Sequence, residues 1–288
     1  MTNVLSSKKN LIAVVALLSV GAAWGGAFVL MKDAINQQPF FDFLAIRFTL
    51  ATVLMIVIRP RVFTKMSRKT LTRGGILGLI LGAAYMSQTA GLLLTSAAIT
   101  GFITGLYVVF TPFLAWLIFK ERVSKRVMVG ALLATVGLAL ISIQGWSVEI
   151  NHLWVVLSAV LFAAHIVGLG RWSPGSDVYA MTVVQLAVTA ALCWIGALPD
   201  GYQPPPNGDV WWAVIYTVVF ATAFAFLVQT WAQSVMDSSR VAIILTSEVV
   251  FTAIIAVAVG QESLALKVVI GGGMLVSAML VVEWPSKK

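Results

Sequence analysis

Ten apolar runs follow one another along the 288 residues, at 11–31, 42–58, 74–94, 97–119, 127–145, 152–170, 178–198, 210–233, 241–260 and 267–284, with short polar breaks between them. A helix of about 20 apolar residues matches the hydrocarbon core of a bilayer. Inside lipid every backbone N–H and C=O must find a partner within the protein, so only helices and closed barrels can cross, and these runs lack the alternation of a barrel strand. The chain is therefore read as an all-α integral membrane protein with ten transmembrane helices.

Composition removes the other classes. Hydrophobic residues make up 60% of the chain and charged ones 10%, against roughly a quarter charged in a soluble domain. A single cysteine, Cys193, lies inside an apolar run and is read as a small buried side chain, which excludes a disulfide framework or a cysteine metal cluster. The net charge of +8 is not gathered into a basic surface of the kind nucleic acid requires. It serves topology instead. With the N-terminus in the cytoplasm, the inner segments collect Lys8, Lys9, Arg59, Arg61, Lys65, Arg68, Lys69, Arg73, Lys120, Arg122, Lys125, Arg126, Arg171, Arg240, Lys287 and Lys288. Asp33, Asp42, Glu149, Asp200, Asp209 and Glu262 fall on the opposite side. Cytoplasmic loops are enriched in Lys and Arg, so both termini are expected inside. Lys8 and Lys9 ahead of the first run resemble a signal peptide, but the run is long enough to span and is read as the first helix.

The second constraint is an internal repeat. Val108-Val109-Phe110-Thr111 returns as Val249-Val250-Phe251-Thr252, 141 positions on, and the same offset pairs Ala115 with Ala256, Glu121 with Glu262, Val127 with Val268 and Gly130 with Gly271. It extends to Gln88-Thr89 with Gln229-Thr230, Tyr85 with Phe226, Trp24 with His165 and Tyr107 with Glu248. Five spans per copy is an odd number, so the second copy, 149–288, must lie inverted relative to the first, 1–148. Inverted repeats are the architecture of secondary transporters, whose solute site lies near the midplane between the copies.

Glycines at helix-packing spacing, Gly21 and Gly25, Gly74, Gly78 and Gly82, Gly101 and Gly105, are read as close helix contacts. Pro112 lies within the fourth run and is expected to bend it; its counterpart is Ala253, so the two halves need not be equally bent. Gly271-Gly272-Gly273 has no preceding strand and no following Lys-Ser/Thr, so it is not a phosphate loop.

Polar groups inside the membrane are costly and point to function. Glu248 is the one carboxylate well inside a run, able to carry a proton or hold an amine; His165 is a second group able to move a proton, and either could instead be a packing residue. Gln88 and Gln229 are read as lining a cavity or joining helices, and Trp24, Tyr85, Tyr107 and Trp231 as stacking candidates. Trp154, Trp172, Trp211, Trp212 and Trp284 sit at run ends as an interfacial belt. Arg47, a few residues inside the second run, is read as snorkelling to the outer interface in preference to meeting solute. No Ser-His-Asp set, metal-ligand spacing or phosphate loop is present, so neither an enzyme nor an ATP-driven pump is indicated, and no metal or cofactor is expected.

Ala23-Trp24-Gly25, Arg47, the run through Pro112 to Lys120-Glu121-Arg122 with Gly130, Gln185, and Glu262 with Gly271 resemble the drug/metabolite transporter superfamily, in its ten-helix bacterial branch. The resemblance covers nearly the whole chain and is most similar to aromatic amino-acid exporters. It implies a multi-pass protein of the bacterial inner membrane that exports amino acids or related small metabolites from the cytoplasm by alternating access. One departure is that Glu121 and Glu262 are followed by Arg122 and Ser263, where the family often has proline. The expected partners are a small-molecule substrate and membrane lipid, without nucleic acid, and a monomer suffices. Trp24, Tyr85, Gln88, Tyr107, His165, Gln229 and Glu248 form the expected solute site, with Glu248 and His165 able to couple a proton. A broad drug/metabolite exporter, a lipid enzyme and a sensor are the alternatives.

Overall fold

A computed structural model of the chain describes residues 2–94, 97–142, 152–258 and 265–283. Glu149, Glu262, Trp284, Lys287 and Lys288 lie outside the described residues, as does the boundary expected between the copies. The described residues are helical, without a strand. The helices are α1 Thr2–Ile35, α2 Phe40–Ile58, α3 Arg68–Leu94, α4 Ala97–Gly105, α5 Tyr107–Phe119, α6 Lys125–Ser142, α7 His152–Trp172 and α8 Val178–Ala197. They continue as α9 Gly208–Tyr216, α10 Ala225–Ala232, α11 Ser238–Leu245, α12 Ser247–Ala258 and α13 Leu266–Glu283. Nine helical segments are long and apolar enough to cross a membrane among the described residues. The fifth expected span corresponds to α6, which is not among those nine.

Local chemistry sets the helix starts. Asp177 Oδ1 accepts from Ala180 N at 2.9 Å ahead of α8, and Asn207 Oδ1 accepts from Val210 N at 3.0 Å ahead of α9. These side chains satisfy amide donors that the first turn leaves without partners. At the end of α5, Lys120 adopts a left-handed conformation with φ 56°, and Glu121 N bonds back to Ala115 O. That closes the helix without the proline common in the family.

The fourth and ninth spans are each broken in two. Leu106 N bonds to Ile103 O and Val109 N to Leu106 O; in the ninth span Thr246 N bonds to Ile243 O and Val249 N to Thr246 O. These tight turns interrupt the α-helical ladder. At Thr246 the hydroxyl also donates to Ile243 O at 2.6 Å, competing for that carbonyl. Both spans break, and the first break precedes Pro112, which lies inside α5. The breaks are also 140 positions apart, not 141, so Leu106 matches Thr246.

The eighth span contains a π-helical segment, Thr217–Phe224, between α9 and α10. Thr217 Oγ1 donates to Ala213 O at 2.8 Å and Val214 O at 3.0 Å at its start. The hydroxyl draws on carbonyls that an α-helix would give to its own N–H groups.

Packing relates the spans by exchange. The first packs on the ninth and the sixth on the fourth; the third packs on the sixth and the eighth on the first; the third packs on the seventh and the eighth on the second. The second and seventh, the fourth and ninth, and the fifth and tenth meet each other. Glycines permit the closest of these approaches. A Cβ at Gly78 would stand 2.5 Å from Gln185 O of α8, and one at Gly25 would stand 2.8 Å from Thr252 N of α12. Gly101 corrects the packing expectation, since nothing lies within 4 Å of its Cβ position. The outermost pair is α6 with α13, joined where Gly137 meets Gly271 O and leaving Leu132, Val269 and Leu280 exposed.

Candidate functional site

A cavity of about 50 Å³ lies inside the helix bundle. All seven expected residues line it: Trp24 from α1, Tyr85 and Gln88 from α3, Tyr107 from α5, His165 from α7, Gln229 from α10 and Glu248 from α12. Tyr107 and Glu248 stand just beyond the two helix breaks.

The walls are aromatic. Tyr85 meets Phe162 edge-on at 5.3 Å between ring centroids and meets its repeat counterpart Phe226 at 6.1 Å. Phe226 is also 5.8 Å from Trp24 and 6.0 Å from the His165 ring. Phe28 and Phe162 were not anticipated, although each follows from helical spacing: Phe28 is one turn after Trp24, and Phe162 is three residues before His165. Trp231 was expected to stack but is not in the lining; it packs, half-buried, against the core cluster that contains Val241 and Leu245.

Arg47 is the principal correction. It does not reach the interface: it is 2% exposed and lines the cavity. Its Nε donates to Thr222 Oγ1 at 2.7 Å and its Nη2 to Ala221 O at 3.3 Å, both in the π-helical segment, while Nη1 meets Met31 Sδ at 3.6 Å. The guanidinium also stands over the rings of Tyr85 at 5.0 Å and Phe48 at 5.3 Å. Ala221 O accepts from Trp24 Nε1 as well, at 2.9 Å. One carbonyl thus anchors both residues. The acceptor at Thr222 is 175 positions away in sequence, and no local signal marks it.

Hydrogen-bond bookkeeping fixes the polar side chains. Thr230 gives its hydroxyl hydrogen to Phe226 O at 2.7 Å, so its Oγ1 must accept from Gln185 Nε2 at 3.1 Å. Gln185 Oε1 then accepts a hydrogen bond from His165 Nε2–H at 2.8 Å, which in the neutral ring leaves the lone pair on Nδ1. Gln233 Nε2 donates to Ile166 O at 2.6 Å, so its Oε1 accepts from Gln229 Nε2 at 3.2 Å. Gln229 Oε1 is left buried with no partner. Gln88 differs from its counterpart, donating through Nε2 to Thr104 Oγ1 at 3.2 Å. Gln185 and Gln233 thus orient two lining residues from behind. The two ion pairs among the described residues, Arg59 with Asp177 and Arg240 with Glu283, involve neither Arg47 nor Glu248. No group of three or more metal-ligating side chains occurs among the described residues.

The sequence pattern of the EamA-like transporter family matches this chain twice, over residues 11–143 and 150–284. An uncharacterized transporter of Archaeoglobus fulgidus is 30% identical over 276 residues, covering 96% of this chain and 87% of the relative. The uncharacterized transporter YetK of Bacillus subtilis is 22% identical over 236 residues, 76% of this chain and 71% of its own. One solved crystal structure superposes with a TM-score of 0.81 at 17% identity, covering 94% of this chain and 96% of that one, a likeness of fold. The chain therefore belongs to the EamA-like transporter family, within the drug/metabolite transporter superfamily, and is a multi-pass membrane protein.

Proposed function

We propose that the protein is a secondary transporter that exports small metabolites, amino acids and aromatic amino acids among them, from the cytoplasm by alternating access. The observation that carries this reading is a buried cavity walled by residues of both sequence copies, with Tyr107 and Glu248 placed at two broken helices. Discontinuous helices meeting at a central site are the arrangement in which one bundle can rock against another. The exchange among helix contacts and the double match of the family pattern support two inverted five-helix copies, 1–148 and 149–288, with α6 as the fifth of ten spans. The distribution of Lys and Arg supports cytoplasmic termini in a bacterial inner membrane. In this reading Trp24, Tyr85, Gln88, Tyr107, His165, Gln229 and Glu248 contact the solute, and Glu248 and His165 carry any coupled proton. A cavity walled by one chain supports a monomer as the working unit.

The test is flux through liposomes that contain this protein alone. Labelled threonine, methionine, phenylalanine or tryptophan is expected to cross faster than through empty liposomes. If none does, the amino-acid assignment fails, and movement of unrelated drugs instead would make the protein a broad exporter. Under an imposed pH gradient Glu248→Gln is expected to lose gradient dependence; a variant that keeps it in full removes Glu248 from coupling.

A further inference from the structure

Arg47 has five N–H bonds: three meet Thr222 Oγ1, Ala221 O and the Met31 sulfur, and the Tyr85 side chain shares a further hydrogen bond with the group. The edge formed by Nε and Nη2 is held by Thr222 Oγ1 and Ala221 O, while on the other side Nη1 meets only the Met31 sulfur, a weak acceptor. Of the five N–H bonds of Arg47, which is 2% exposed, four at most find a partner among these groups, and one of those partners is only a sulfur. A buried charge with unspent donors is costly unless something else meets it. The same cavity holds Glu248 and the unpartnered Gln229 Oε1, both acceptors, and Glu248 makes no ion pair with Arg47.

We propose that Arg47 receives the carboxylate of a zwitterionic solute through its open edge, while Glu248 and Gln229 Oε1 receive the solute's ammonium group. This rests on the transport reading and names its solute class: an α-amino acid, or another zwitterion, with an apolar or aromatic body. The planar guanidinium suits a carboxylate because two parallel N–H bonds can meet its two oxygens. Thr222 and Ala221 hold the group in place before the solute arrives, so little ordering remains to be done on binding. A solute with an anion alone would bring uncompensated charge to Glu248, and one with a cation alone would leave Arg47 unmet. Ring faces along the cavity, from Trp24 to Phe226 and Tyr85, cover the body between the two ends.

The experiment is calorimetric binding to detergent-purified full-length protein of three matched ligands: L-phenylalanine, phenethylamine, which lacks the carboxylate, and 3-phenylpropionate, which lacks the amine. The wild type is expected to bind phenylalanine at least about tenfold more tightly than either analogue, the scale of a hydrogen-bonded charge. In Arg47→Gln the affinity for phenylalanine should fall to that for phenethylamine, with phenethylamine itself unchanged, and Arg47→Lys should lie between. In Glu248→Gln phenylalanine should fall to the level of 3-phenylpropionate. Equal wild-type affinity for phenylalanine and phenethylamine, no binding of any of the three, or uniform weakening of all three in Arg47→Gln overturns the proposal. Should Arg47→Gln not fold, as read by its melting temperature, the Lys variant decides: full retention of the wild-type preference overturns it. Amino-acid flux that survives with no preference for the carboxylate refutes this site and leaves transport standing, whereas absence of amino-acid flux refutes the assignment above independently of binding.

Discussion

The third and eighth spans share matched residues at the 141-position offset yet differ in form. The third, α3, is one unbroken α-helix pressed onto α8 through Gly74, Gly78 and Gly82. At the matched positions the eighth carries Ile215, Val219 and Ala223, and there it widens into the π-helical segment against α1 and α2. The glycines let one helix sit close to its neighbour. In the other helix Ile215 and Val219 are exposed, and the altered ladder offers Ala221 O and Thr222 Oγ1 to Trp24 and Arg47. One copy gained a tight contact and the other gained an anchor for a buried cation. π-Helical turns are frequent at functional sites for this reason.

The comparison can be broken most forcefully at Gly78. Gly78→Val places carbon against the backbone of Gln185, and overpacking of this kind is expected to cost about 3 kcal/mol, seen as a large drop in melting temperature in detergent. A melting temperature within a degree of wild type would mean that the glycines are not what seats α3.

A smaller effect is expected at the anchor. Thr222→Val removes the acceptor of Arg47 Nε, a bond to a charged group worth about 1.5–3 kcal/mol. Amino-acid flux should fall sharply while the protein still folds. Unchanged flux would detach the π-helical segment from the solute site.

The smallest effect belongs to Val219, the counterpart of Gly78, which is 36% exposed on the lipid side. Val219→Ala should shift stability by less than about 0.5 kcal/mol and leave flux intact. A loss as large as that of Gly78→Val would show that the two spans are packed alike.

Much of the site was legible in the sequence because polar side chains in apolar runs are few. Glu248, His165, Gln88 and Gln229 stand out one by one, and the repeat offset placed Tyr85 and Tyr107 at related depths; all six line one cavity. Arg47 was misplaced because a long cationic side chain near a helix end ordinarily reaches for the interface. Its direction depended on an acceptor in another span. The helix breaks were not foreseen: they fall 140 positions apart where the side chains repeat at 141, and the one in the ninth span lies at Thr246, whose hydroxyl bonds Ile243 O.

The sequence by itself determined the medium and the helical class, and it carries the pattern of apolar runs, their repeat and the charges between them. Each of these follows from sums along the chain: transfer energy over about 20 residues, satisfaction of a helix's own backbone, charge between spans. Tertiary structure alone decided that Arg47 points inward, that Gln185 sets the proton of His165, and that Gln229 keeps a bare oxygen. Those outcomes rest on hydrogen bonds between spans, and such a bond depends on where a distant helix carries its acceptor, which no local stretch of chain records.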